Sequence, residues 1–143
     1  MNPKDILGNF DFSVPIQVRF SDIDGYMHVN NGIYFNYFEH ARALYLYERC
    51  GWNIMEVGTV VARIELDYLK PIHMEDQVKA FVRCSRIGNT SFDLEQVLLD
   101  ERGEKIFATC KTIMVSVSMK NMNPVPIPSE YREIMQADLN KSA

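Results

Sequence analysis

The feature that most restricts the fold of this chain is a helical stretch, residues 31–50, that is apolar on nearly all of its sides. Apolar residues recur there at helical spacing and form a stripe: Ile33, Tyr34, Tyr37, Phe38, Ala41, Leu44 and Tyr45. Three more apolar residues widen this stripe: Phe35, Leu46 and Tyr47. Asn30 or Asn31 can cap the start of this helix, and Gly51 can end it. A helix of this kind is expected to be wrapped by other elements. The remainder of the chain must therefore supply a surface that curves around it.

The rest of the chain up to residue 118 has the alternating pattern of β-strands. Apolar and polar residues alternate in five segments, which predicts strands at residues 12–20, 60–68, 78–84, 92–98 and 106–117. The turn-forming runs at 86–89 and 100–103 are short enough for hairpins, so the strands that they join should pair antiparallel. After three prolines, a short helix is predicted from Ser129, its cap, to Ala137.

One strand, one long buried helix and four consecutive antiparallel strands are most simply arranged by curling a five-stranded sheet around the helix. This α+β architecture is the hot-dog fold. A chain of 143 residues that is 47% hydrophobic and 24% charged fits a single domain over residues 1–143. Because a sheet of this kind has edges that must be covered or paired, we expect the chain to associate as a homodimer or homotetramer.

Charge and hydropathy argue against two classes of partner. A net charge of -4, with no run of Lys and Arg, argues against nucleic-acid binding, which needs a concentrated basic surface. Residues 1–12 lack the basic start and apolar run of a secretory signal, and no apolar stretch approaches the length of a membrane span. We therefore expect a cytosolic protein that binds neither nucleic acid nor membrane.

The cysteines and histidines do not have the spacing of a metal site. Cys50, Cys84 and Cys110 are odd in number and widely separated, which suits buried thiols in a reducing compartment. Neither they nor the histidines show the short paired spacings of tetrahedral zinc sites. We expect no metal, no cofactor and three cysteines that fill the core.

The segment DIDGYMHVNNGIY, residues 22–34, joins the first strand to the helix and stands out from the rest of the chain. Together with Glu39 and Arg42, it resembles the acyl-CoA thioesterase family typified by 4-hydroxybenzoyl-CoA thioesterase, particularly its long-chain acyl-CoA branch. Its spacing is also similar to that of plant acyl-ACP thioesterases. Two residues depart from these patterns, since Met27 stands where many relatives place Gly and Tyr26 where the acyl-ACP enzymes usually carry Asn.

The resemblance implies a hot-dog thioesterase that hydrolyses an acyl-CoA to a carboxylic acid and CoA. Asp24 falls on the family's catalytic carboxylate, as general base or nucleophile, and the backbone N–H near Asn31 falls on its oxyanion-binding position. Both roles suit the chemistry, since the start of a helix has unpaired N–H groups and a partial positive charge. His28 is a further catalytic candidate, and Asn30 and Tyr34 are candidates for substrate binding.

Each candidate residue also has a purely structural interpretation. Asp24 could shape the turn, as we expect of Asp22, and His28 could hydrogen-bond across it. Glu39 and Arg42, three residues apart on one helix face, predict a supporting ion pair. The remaining candidates could cap the helix or fill the core: Asn30, Asn31 and Tyr34.

Two other functions are compatible with the same segment. An acyl-ACP thioesterase would share the chemistry and present a basic patch to its carrier protein. A noncatalytic hot-dog module would bind an acyl group without hydrolysing it, although the carboxylate of Asp24 speaks against this function. The acyl chain itself is left open by the sequence.

Overall fold

The computed structural model describes residues 2–141 and contains one long central helix and five strands. In chain order the elements are α1 (Pro3–Asn9), β1 (Phe12–Ile16), α2 (Ile33–Leu44), β2 (Val57–Tyr68), β3 (Val78–Ile87), β4 (Ser91–Asp100), β5 (Ile106–Ser118) and α3 (Ser129–Lys141). Helix α2 continues as a π-helical turn, Tyr45–Arg49, and stops before Gly51, whose φ of 67° is left-handed. The predicted central helix and its stop are therefore confirmed.

The five strands form one antiparallel sheet in the order β1-β3-β4-β5-β2. Short connections join β3 to β4 and β4 to β5, as the turn-forming runs of the sequence predict. Strands β1 and β2 are the two edges of the sheet. With α2 packed on the sheet, this is the hot-dog fold, and the predicted fold class is confirmed.

Only one side of α2 is packed against the sheet. The cluster of buried residues that joins the helix to the sheet includes Tyr34, Tyr37, Phe38, Ala41 and Tyr45 of the helix and Leu94, Leu98 and Phe107 of the sheet. Phe35 and Tyr47, in contrast, are 41% and 72% exposed. The expectation that the helix is wrapped on nearly all sides is therefore wrong for a single chain, because one layer of five strands covers one side of a helix. Part of the apolar surface of α2 stays uncovered by residues 2–141.

The first strand is shorter than predicted, and the last helix is longer. Strand β1 ends at Ile16 because the chain then leaves the sheet for a 3₁₀ turn over Phe20–Asp22. This turn is closed by the Asp22 carboxylate, whose Oδ2 accepts the N–H of Arg19 at 3.0 Å. Helix α3 begins at Ser129, as predicted, and runs past Ala137 to Lys141.

Helix α1 has no counterpart among the sequence predictions. Asn2 and Asp5 cap its start reciprocally, and Ile6 is fully buried. The helix covers part of the other face of the sheet through a second apolar cluster: Ile6, Phe10, Phe81, Val97, Leu99 and Ile106. Seven residues are too few for a helical period to be visible in the sequence, so tertiary packing stabilises α1.

The three cysteines are buried and unpaired, as predicted. Burial raises the pKa of the Cys50 and Cys84 thiols to about 12, so both stay protonated at neutral pH. Within residues 2–141, no helix is both long and apolar enough to cross a membrane.

Candidate active site

The loop between β1 and α2 folds back on itself as a tight antiparallel turn. Ile23 and Val29 form an isolated bridge, and the Asp24 N–H donates to the His28 carbonyl at 2.9 Å. The Met27 N–H donates to the Asp24 carbonyl at 3.0 Å, and Met27 has a φ of 64°. Gly adopts this left-handed conformation without strain, which explains why a Gly suits this position. The turn places Asp24 next to His28.

The Asp24 side chain takes part in the turn. Its Oδ1 accepts the N–H of Tyr26 at 2.9 Å, and the side chain is half-buried. This hydrogen bond is an Asx turn, so Asp24 does have the structural role that was the alternative to catalysis. The same bond holds one oxygen of the carboxylate in a defined position, which is also what a catalytic carboxylate needs.

Asp22 anchors the loop to the central helix. Its Oδ2 accepts the hydroxyl of Tyr37 at 2.6 Å, and its carbonyl accepts the N–H of Asn30 at 2.9 Å. The Arg19 guanidinium lies 3.7 Å from Oδ1. Asp22 is buried, so its contacts are with the protein and fit the structural role expected from the sequence.

Asn30 and Asn31 shape the start of α2 in different ways. Asn30 accepts two N–H groups, that of Gly32 at its side-chain Oδ1 (2.8 Å) and that of Ile33 at its carbonyl (2.9 Å). The N-cap residue of α2 is Gly32, and it makes no side-chain cap. Neither asparagine therefore occupies the cap position that the sequence predicted for it. Asn31 is held through its carbonyl, which accepts the Tyr68 hydroxyl at 2.8 Å.

His28 is held against a second histidine from the connection between β2 and β3. The rings of His28 and His73 meet edge-on, with centroids 4.8 Å apart and planes at 89°, and the two residues form an isolated bridge. Asp76 in turn fixes His73, since its Oδ2 accepts the His73 N–H at 2.8 Å and lies 3.5 Å from the ring Nδ1. The Val29 N–H completes the junction by donating to the Ile72 carbonyl at 2.8 Å.

Tyr34 closes the inner side of the same region. It is buried, and its hydroxyl donates to the Lys70 carbonyl at 3.4 Å while accepting the Ile72 N–H at 3.2 Å. Burial raises its pKa, so the phenol remains a donor. Its ring meets that of Tyr68 edge-on at 5.0 Å.

These contacts create a cleft of about 200 Å³ where the start of α2 meets the end of β2. The residues that line it are His28, Val29, Asn31, Tyr34, Tyr68, Leu69, Lys70 and Pro71. Of the five candidates from the sequence, His28, Asn31 and Tyr34 thus line the cleft, while Asp24 and Asn30 lie next to these residues in the segment before α2. Within residues 2–141, no group of three or more His, Cys, Asp or Glu side chains is placed to hold a metal ion.

The structure adds residues to this site that the sequence motif did not indicate. Tyr68, Lys70, His73 and Asp76 come from one segment about 40 residues after the motif. The sequence predicted only that residues 60–68 form a strand, and this prediction does not show which part of the strand lies beside the motif.

The comparisons with known proteins agree with the fold. A sequence model of the thioesterase-like superfamily matches residues 18–136. An uncharacterised protein of Bacillus subtilis (strain 168), YsmA, is 31% identical over 131 residues, which are 89% of this chain and 86% of YsmA. The long-chain acyl-CoA thioesterase FadM of Escherichia coli (strain K12) is 26% identical over 124 residues, which are 85% of this chain and 94% of FadM.

A solved structure is similar over almost the whole chain. A thioesterase from Thermus thermophilus, complexed with coenzyme A and Zn, has a TM-score of 0.78 and 34% identity, over 92% of this chain and 97% of its own. The superfamily match spans both the turn that carries Asp24 and the central helix. This chain therefore belongs to the thioesterase-like superfamily and is a thioester hydrolase with the hot-dog fold.

Proposed function

We propose that this protein hydrolyses acyl-CoA thioesters to a carboxylic acid and CoA at the cleft between the start of α2 and the end of β2. The observation that carries the proposal is the 2.9 Å hydrogen bond from the Asp24 N–H to the carbonyl of His28, which joins the backbone of Asp24 to a residue that lines the cleft. FadM is a long-chain acyl-CoA thioesterase, and the Thermus thermophilus enzyme contains coenzyme A. Both relatives support CoA as the carrier.

The backbone N–H of Asn31 is the proposed oxyanion donor. The next two amides, of Gly32 and Ile33, already donate to Asn30 and are therefore not available to a substrate. The Tyr68 hydroxyl holds the Asn31 carbonyl at 2.8 Å, so this stretch of backbone is fixed before a substrate binds. A donor fixed in this way stabilises the oxyanion without reorganisation, and removing one such donor typically costs about 3 to 4 kcal/mol of barrier.

Asp24 is the proposed base or nucleophile, and its Oδ2 is the oxygen that is not held by the Tyr26 N–H. As a base, Oδ2 takes a proton from water while the water oxygen attacks the thioester carbonyl; the C–S bond then breaks and CoA leaves as the thiolate. As a nucleophile, Oδ2 attacks the carbonyl itself, the same C–S bond breaks, and water hydrolyses the resulting anhydride. Both routes give the same products.

His28 is proposed to orient the thioester. Its ring lines the cleft, and the edge-on contact with His73, itself fixed by Asp76, limits its rotation. We propose that Tyr34 contacts the substrate from the inner wall of the cleft. Asn30 is proposed to support substrate binding by holding the backbone N–H groups of Gly32 and Ile33. A substrate bound there meets the oxyanion donor and the imidazole in one cleft.

The experiment that tests this proposal is turnover on a panel of acyl-CoA esters of graded chain length, with the released thiol measured. Asp24→Asn should lower kcat on the best substrate by at least about 100-fold, the lower range for loss of a general base. Glu133→Gln is the matched control, because Glu133 is an exposed carboxylate on α3, a helix that contributes no residue to the cleft, and this variant should retain wild-type turnover. Circular dichroism shows whether each variant is folded.

Three outcomes would change the proposal. Native-like turnover by folded Asp24→Asn removes Asp24 from the mechanism. Faster turnover of an acyl-ACP thioester of matched chain length replaces CoA by ACP as the carrier. Binding of acyl-CoA without hydrolysis by the wild-type protein makes the chain an acyl-binding module.

We also propose that the active unit is a homodimer formed through β2. This strand is 12 residues long and lies at an edge of the sheet, where its outer backbone groups can pair with another strand. Apolar side chains beside this edge are exposed: Phe35, Val61 and Tyr68. Light scattering should give twice the chain mass of 16.6 kDa, or four times that mass if two dimers stack; a monomeric mass contradicts the proposal. As the sequence predicts, we propose one cytosolic domain over residues 1–143.

A further inference from the structure

A groove lies along α2 beyond the cleft, on the side of the helix that faces β2. Its volume is about 480 Å³, within the range of roughly 300–1,000 Å³ that is usual for small-molecule sites. Its wall is largely apolar and includes Leu44, Leu46, Trp52, Ile54, Val61 and Met114. Two charged residues, Glu39 and Arg42, and two residues with hydroxyl groups, Tyr47 and Thr59, also line it.

Arg42 is the unusual member of this wall. It is 6% exposed, and its Nη1 is buried without a hydrogen-bond partner anywhere in residues 2–141. Its Nη2 lies 4.0 Å from Oε2 of Glu39, whose side chain is 76% exposed. The predicted ion pair is thus formed at the limit of its distance range and engages one nitrogen only.

No other charge balances the guanidinium from the sheet within residues 2–141. Cys110, which faces Arg42 from β5, is buried, and burial raises the pKa of its thiol, so the thiol is neutral. Burial also lowers the pKa of Arg42 itself. Buried charged groups are normally paired and hydrogen-bonded, and an orphaned donor in a native structure needs a cause. A largely apolar groove with one unpaired donor has the composition of a ligand site.

The groove is connected with the proposed active site along one flank of the helix. Phe35, Glu39, Arg42 and Leu46 follow one another at spacings of four, three and four residues, so they lie on one flank. Strand β2 runs beside this flank, with Tyr68 at the cleft and Val61 at the groove. Arg42 is nine residues beyond Ile33, which places it about 14 Å from the start of α2 at 1.5 Å per residue.

We propose that this groove holds the far part of the acyl chain and that Arg42 selects chains carrying an uncharged acceptor oxygen there, a hydroxyl or an oxo group. This inference rests on the proposed function, because the chain extends from a thioester bound at the cleft. The Glu39 carboxylate already shares Nη2, so it would repel a second carboxylate, whereas a hydroxyl or carbonyl oxygen accepts from Arg42 without repulsion.

A plain hydrocarbon chain is disfavoured in this groove because it offers no acceptor to the guanidinium, whose Nη1 then stays without a hydrogen-bond partner. A site built to hydrogen-bond a substrate oxygen rejects an analogue that lacks the oxygen much more strongly than an apolar pocket rejects a change of one methylene. In the homodimer proposed above, the second copy would border the groove at Val61.

The test compares kcat/KM for two series of CoA esters, unsubstituted acyl chains and ω-hydroxyacyl chains of the same lengths. For the wild-type protein the ratio of hydroxylated to plain substrate should be near one for the shortest chains. It should rise to at least about tenfold at the lengths that reach Arg42, which is the lower range for a hydrogen bond to a charged group. A matched series of ω-carboxyacyl-CoA esters should show a smaller preference, because of Glu39.

Arg42→Met removes the donors and keeps an unbranched apolar stem, so the ratio should fall to about one. Arg63→Met is the matched control, because Arg63 is an exposed arginine of β2 that pairs with Glu65 at 2.6 Å. That variant should keep the wild-type ratio. If Arg42→Met does not fold, the wild-type length series and the variant Arg42→Lys decide instead. Arg42→Lys keeps the positive charge and loses the planar fork of the guanidinium.

The outcomes separate this inference from the proposed function. Wild-type hydrolysis of acyl-CoA esters without a hydroxyl preference at any length overturns the inference and leaves the proposed function standing. An unchanged ratio in folded Arg42→Met also overturns it. If the wild type shows no hydroxyl preference and Arg42→Met shifts from dimer to monomer, the inference is likewise overturned, and a second copy of the chain is the occupant of the groove. Failure of the wild-type protein to hydrolyse any thioester removes both.

Discussion

Replacing Tyr37 by Phe tests whether the loop that carries Asp24 is held in place by the central helix. The Tyr37 hydroxyl donates to Asp22 Oδ2 at 2.6 Å, and both residues are buried. Burial, and then the hydrogen bond to Asp22, raise the pKa of Tyr37 well above its ordinary value, so the phenol stays protonated in neutral and mildly alkaline solution. The bond therefore connects a neutral donor to a buried carboxylate.

The expected magnitude follows from what remains after the substitution. Phe fills the same volume, so Tyr37→Phe opens no cavity and removes one hydrogen bond. Asp22 Oδ2 keeps the Arg19 N–H at 3.0 Å, so the carboxylate is not left without a donor. A hydrogen bond to a charged group contributes about 1.5–3 kcal/mol, and we expect a loss of about 2 kcal/mol in the free energy of unfolding. For a chain of this size the Tm falls by roughly 4–8 °C.

Urea unfolding of the wild type, Tyr37→Phe, Asp22→Asn and the double variant measures this bond as a coupling energy. We expect at least about 1 kcal/mol, because the two side chains are in direct contact. Tyr47→Phe is the control, since Tyr47 is largely exposed and its loss of a hydroxyl should change the free energy of unfolding by less than about 0.5 kcal/mol. A coupling energy under about 0.5 kcal/mol would refute the idea that Tyr37 anchors the loop.

Two further predictions concern the thiols and the cleft. Burial raises the pKa of the Cys50 and Cys84 thiols from 9.0 to about 12, so their contribution to stability is complete below pH 9 and is lost as the pH rises towards 12. The free energy of unfolding should fall by up to about 1.4 kcal/mol per pH unit for each thiol in that window, and equal urea midpoints at pH 8 and pH 10 would contradict this. Tyr68→Phe keeps the ring and loses the 2.8 Å hydrogen bond to the Asn31 carbonyl, so kcat/KM should fall roughly tenfold with little loss of stability; unchanged kinetics would show that Asn31 needs no such support.

The sequence was informative about the site where the relevant residues are close together in the chain. Residues 22–34 bring Asp24, His28 and Asn31 into one turn and one helix start, so their proximity follows from local geometry. Local geometry is the same for the two roles of Asp24, shaping the turn and acting in catalysis. The structure shows the Asx turn, yet an oxygen held by the Tyr26 N–H suits catalysis equally well.

The sequence by itself determined the order of the elements, the two hairpins and the central helix, because these depend on periodicity and on turn residues that act over a few positions. Tertiary structure decided which side of α2 is covered, where β1 ends, and that α1 exists at all. It also brought Tyr68 to the cleft and His73 against His28, and it left Nη1 of Arg42 buried without a hydrogen-bond partner among residues 2–141. Such features depend on contacts between residues that are far apart in the chain, and a sheet that covers only one side of a helix leaves no trace in the helix's own pattern.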